Sequence, residues 1–100
     1  MNLSPEQRAG EIIGEIRKQT GFDPLVRTRR KPFVQLRYIV VWALWREAHG
    51  DIRYTIPVIG ATVGLDRCTV YYAIRSVEYW LQHPRQYPFE TSVVQEVLGG

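Results

Sequence analysis

One hundred residues suit one small domain, and 45% hydrophobic content with 12% aromatics describes a packed globule rather than a disordered chain. The formal net charge of +3 is unevenly placed: residues 25 to 37 hold Arg27, Arg29, Arg30, Lys31 and Arg37 with no acid, while each flank carries one net negative charge. A single cysteine excludes an internal disulfide framework, no Cys/His cluster has zinc-ligand spacing, and no apolar run can span a bilayer.

The N-terminal stretch is polar, carries Glu6 and Glu11, and has nothing like a secretory signal, so the expected setting is cytoplasmic and metal-free. Ser4-Pro5-Glu6-Gln7 is a helix start, with Ser4 as N-cap, Pro5 at the first helical position and Gln7 reaching back in a capping box. Ala9, Ile12, Ile13 and Ile16 follow on one stripe, and Gly21 stands where the helix should stop. Asp23-Pro24 suits a further turn before the basic run.

Pro32 is expected to open a central helix running to about His49, with Gly50 as its stop. Phe33, Leu36, Val40, Ala43 and Leu44 form one apolar stripe and Tyr38, Trp42 and Trp45 another. A helix apolar around most of its circumference belongs in the core, and its aromatics are read as core too.

Thr55 caps the next predicted helix, which runs to about Val63 with Pro57 in its first turn and Ile59 and Val63 facing inward. Gly64 supplies a turn. Asp66 caps a final long helix whose inner face is Val70, Ile74, Val77 and Leu81, and Pro84 cannot continue it. Residues 1–83 are read as the domain. Residues 84–100 form a tail, with Val93, Val94, Val97 and Leu98 suiting a short helix that docks on the core or meets a partner. The fold class is all-α.

A short capped helix, a glycine turn and a second helix opening with polar, basic and aromatic side chains is the grammar of a helix-turn-helix, whose second helix reads base edges in the major groove. With Val70, Ile74 and Val77 inward, the last helix presents Arg67, Cys68, Tyr71, Arg75 and Tyr79 elsewhere, with Tyr72 at the margin. Arg67 suits a guanine edge or a phosphate, and Cys68 and Thr69 are small enough for close approach. Asp66 serves as a cap or accepts from cytosine. The basic run is an electrostatic footprint for a polyanion. The candidate DNA-binding residues are therefore Arg27, Arg29, Arg30, Lys31, Arg37, Thr55, Asp66, Arg67, Cys68, Thr69 and Tyr71.

Catalysis has little support: His49 and His83 sit at predicted helix ends, no triad or carboxylate pair shares a site, and no phosphate-cradling loop is present. The chain is read as a non-enzyme without cofactor or nucleotide. Its partner is read as double-stranded DNA and not a membrane, and its oligomeric state is left open.

The stretch from Leu25 to about Trp80 resembles the C-terminal DNA-binding domain of DnaA, the bacterial chromosomal replication initiator. That family carries a basic Ser-Lys-x-Arg loop, an Arg-Gln at a helix start, a Ser-Leu-x-x-Ile-Gly segment and a Gly-x-Asp-His-Thr-Thr-Val signature. The counterparts are Val26-Arg27-Thr28-Arg29, Arg37-Tyr38, the segment from Thr55 to Gly60, and Gly64-Leu65-Asp66-Arg67-Cys68-Thr69-Val70. The resemblance implies that Arg29 enters the minor groove while Asp66, Arg67, Cys68 and Thr69 face the major groove. The family's His is Arg67 here, its first Thr is Cys68, and the link through Asp51 to Tyr54 is longer. The family's ATPase domain is absent, which suggests a phage or mobile-element regulator of transcription or a replication accessory factor. A protein-interaction module that keeps the fold, and a DNA-packaging recognition subunit, are the alternatives.

Overall fold

The computed structural model describes residues 3–98, and among them every regular element is helical. The helices are α1 (Pro5–Thr20), α2 (Phe33–Glu47), α3 (Ile56–Ala61), α4 (Arg67–Gln82) and α5 (Pro88–Leu98). Their boundaries follow local chemistry. The Ser4 hydroxyl accepts from the Gln7 amide at 3.1 Å while Gln7 Oε1 accepts from the Ser4 amide at 2.9 Å, and Gly21 closes α1 at φ 78°.

α2 is the central beam, packed against the other four helices. Leu36, Ile39, Val40, Val41, Ala43 and Leu44 are buried on it, facing Ile12 and Ile16 of α1, Ile59 of α3, and Val70, Ala73 and Val77 of α4 in one core. It starts at Phe33, with Pro32 as its N-cap, and ends at Glu47. The predicted end at His49 is two residues too late because His49 and Gly50 both take positive φ, 46° and 79°, which no α-helix accommodates. Trp45, expected in the core, is 41% exposed, whereas Trp42 is buried with the Arg46 guanidinium 5.3 Å above its ring.

α3 is a single short segment that stops at Ala61, with Thr62 as C-cap, rather than at Val63. The tail is part of the globule: α5 buries Val93 and Val94 in the common core and packs on α1, α2 and α4. Residues 88–98 thus share one core with the segment read as the whole domain. Two polar ties fix the opposite end. Arg8 grips Glu47 through Nε (2.7 Å) and Nη2 (2.9 Å), and the Tyr54 hydroxyl donates to the Leu3 carbonyl at 2.9 Å. No helix among the described residues is long and apolar enough to cross a membrane.

Candidate nucleic-acid interface

The α3–α4 pair is held by one close approach. Gly60 is buried where α3 meets α4, and its carbonyl accepts from the Leu65 amide at 2.9 Å and the Val63 amide at 3.1 Å. The chain then reverses through Gly64 at φ 74°, a conformation costly for a residue with a Cβ. Asp66 ends the turn in extended backbone and caps α4, its carboxylate accepting from the Thr69 amide at 2.8 Å. Those bonds to Thr69, amide first and hydroxyl second, hold the Asp66 carboxyl below the usual aspartate range. The other cap has the same logic: Thr55 receives the Val58 amide at 3.4 Å.

Beyond the cap, α4 sorts its side chains by helical period. Val70, Ala73, Ile74 and Val77 are inward, while Arg67, Cys68, Tyr71, Tyr72 and Arg75 are exposed and Thr69 is half-buried. Tyr72, expected at the margin, is the most open of the α4 aromatics at 64%, its ring edge-on to Tyr38 of α2 at 5.9 Å. Tyr79 is exposed as well and stacks on His83 at 4.1 Å; the His83 Nδ1 lies 2.9 Å from the Tyr79 carbonyl, so this histidine serves the helix end.

The basic loop lies beside the α3–α4 turn. Leu25 to Arg29 and Arg37 form one wall of an open groove of about 660 Å³, and Ala61 to Leu65 form the other. Arg27, Arg29, Arg30 and Lys31 are exposed. Within the loop, Asp23 Oδ1 accepts from the Leu25 amide at 2.9 Å and the Thr28 hydroxyl from the Arg30 amide at 3.2 Å, so the turn expected at Asp23-Pro24 is formed.

Arg37 departs from its expected place in the patch. Its Nη1 donates to the carbonyls of Pro24 (3.1 Å) and Val26 (2.8 Å), and its Nη2 donates to that of Thr28 at 2.5 Å. Burial lowers its pKa from the ordinary arginine value, and the guanidinium stays charged. The structure therefore brings Arg27, Arg29 and the turn ahead of Arg67 to one groove, leaves Arg30 and Lys31 exposed on the same loop, and turns Arg37 onto the loop itself.

Two contributors are not among the candidate site residues. The turn from Ala61 to Leu65 is read from sequence only for its Gly64 reversal because it carries no charge to advertise a groove wall, and Gly60 enters only as part of the segment from Thr55. Among the described residues, no group of three or more His, Cys, Asp or Glu side chains is placed to hold a metal. No family model, curated protein or solved structure matches the chain.

Proposed function

We propose that this chain is a double-stranded DNA-binding module in which α3, the Gly64 turn and α4 work as a helix-turn-helix. In this reading the first turn of α4 enters the major groove, with Arg67, Cys68 and Thr69 at base edges and Tyr71 and Arg75 toward the backbone. The loop from Arg27 to Lys31 crosses to phosphates and the neighbouring minor groove, with Thr55 at the backbone near the start of α3.

The observation that carries the reading is the shared groove between loop and turn. An α-helix about 10–12 Å across fills a major groove about 12 Å wide, so a second reader must reach around one strand. A cationic loop beside the turn that launches α4 has the position for that. The exposed Arg67 at the head of α4, and the resemblance to the DnaA DNA-binding domain, agree with it. The role proposed for the module is that of a cytoplasmic regulator or replication accessory factor.

Anisotropy of a labelled duplex across a salt series tests the proposal. With about four to six phosphate contacts the log–log slope should lie near −4 to −5. Absence of duplex binding at low salt overturns it. The interaction-module reading then gains, since Trp45, Ile52 and Tyr72 leave apolar surface exposed.

A further inference from the structure

We propose that Arg37 is a positioning residue for minor-groove reading, holding the basic loop in one backbone shape before DNA arrives. The inference rests on the DNA-binding reading above and adds a division of labour within the patch. Three carbonyls, those of Pro24, Val26 and Thr28, converge on one guanidinium. Alternate residues of one short segment are thereby tied to a single side chain of α2.

That anchor is rigid at its base. Arg37 stands between Leu36, which is fully buried, and a core that includes Ile39 and Val40. The loop is held at its two ends, by the fully buried Pro24 and by the Arg30 carbonyl, which accepts from the Val34 amide at 3.4 Å. Between them Leu25 and Val26 are exposed, and the other hydrogen bonds are local ones within residues 23–30. With so little apolar burial between Leu25 and Arg29, the shape of that stretch depends on the clamp. Arg27 and Arg29 then meet the DNA in a fixed register instead of being ordered on contact, and the preference of Arg29 between neighbouring base pairs follows from that register.

A phosphate contact and a clamp make opposite demands on a substitution. Lysine is a competent point-charge binder of phosphate, but it is shorter and carries its donors on one nitrogen, so it does not reproduce a planar fork spanning three carbonyls. Arg37→Lys is therefore the discriminating variant, with Arg37→Gln as a second in case one fails to fold.

Limited trypsinolysis of the DNA-free protein reads the clamp directly, because Arg27, Arg29 and Arg30 are cleavage sites within the loop, whereas the bond after Lys31 precedes Pro32 and resists. Both variants should be nicked at these sites about tenfold faster than wild type while keeping the wild-type melting transition. Equal nicking rates overturn the clamp.

Competition between duplexes that differ only from A·T to G·C in the base pairs flanking the major-groove site reads the consequence. Wild type should discriminate by about fivefold or more, and Arg37→Lys should lose most of that ratio with its salt slope unchanged. Arg37→Lys that discriminates as wild type does, together with an Arg37→Gln slope shallower by about one, makes Arg37 a phosphate contact and overturns the proposal. A wild-type chain that binds no duplex removes the reading role, while the nicking ratio still decides the clamp.

Discussion

Gly60 and Val70 touch so closely that no side chain fits between them. A Cβ on Gly60 would stand 2.6 Å from Val70 Cγ2 and would also run into the carbonyl oxygen of Leu65. The second contact is with backbone, which cannot swing aside, so the α3–α4 angle depends on the absence of one methyl group. Gly60→Ala should cost about 3 kcal/mol in chemical denaturation, toward the upper end for overpacking a core. Gly14→Ala on exposed α1 surface, where a Cβ meets nothing, should be neutral or slightly stabilising. If Gly60→Ala melts like wild type, the close approach is not what sets the pair.

Backbone grip and base reading should separate by mutation. Arg27→Ala and Lys31→Ala should weaken all duplexes about equally, whereas Arg67→Ala should cost about 1–3 kcal/mol on the selected site and little on random DNA. Titration of each variant against both duplexes decides this, and equal losses for Arg67 would assign it to phosphate.

The exposed thiol at the head of α4 offers a reporter. Cys68 is the single cysteine of the chain and is exposed, and the proposed orientation puts it against the major groove. Saturating duplex should slow maleimide labelling of Cys68 by about tenfold or more, and protein already carrying a bulky maleimide should lose duplex binding. Unchanged labelling in the complex would move α4 off the DNA.

The head of α4 differs from the DnaA pattern at Arg67 and Cys68, two positions that the proposed reading puts at base edges. Arginine reaches further than histidine, is always charged and pairs bidentately with guanine. Arg67→His combined with Cys68→Thr should shift the sequence recovered by random-site selection with little effect on the melting temperature, because both side chains are exposed. Identical selected motifs would show that this turn does not read bases.

Acid should undo the Asp66 cap in a predictable direction. Its carboxyl is held below the ordinary aspartate range, so its contribution is fully present above about pH 4 and is lost as pH falls through the folded-state value beneath that. Asparagine caps without titrating. Thermal melts of wild type and Asp66→Asn should therefore converge, or cross in favour of the variant, as pH drops below about 4. A constant difference would mean that the carboxylate makes no special bond in the folded state.

The features legible from sequence share one property: each is decided within a turn or two of chain. Ser4, Thr55 and Asp66 cap because amides three residues on need acceptors, and Gly64 turns because it lacks a Cβ. The helical period gave the inner faces of α1 and α4. The Arg37 contacts were not legible because its three partners lie nine to thirteen residues earlier in a loop with no periodicity, so charge alone grouped it with its neighbours. Trp45 was misplaced for a related reason. An all-round apolar helix does not say which side its neighbours leave bare, and α2 is left bare at Trp45.

The docking of α5 has a temporal consequence. Residues 24–82, which hold the basic loop and the α3–α4 pair, are synthesised before Val93 and Val94, yet those two valines lie in the same core as Ile12 and Ile16 of α1. Contacts between the first and last helices bridge most of the chain, the kind that forms late because so much polymer must be closed first. A nascent chain would thus display its whole cationic surface while the floor beneath it was still open to water, and the arrival of the last helix would turn a sticky, half-built globule into a finished one.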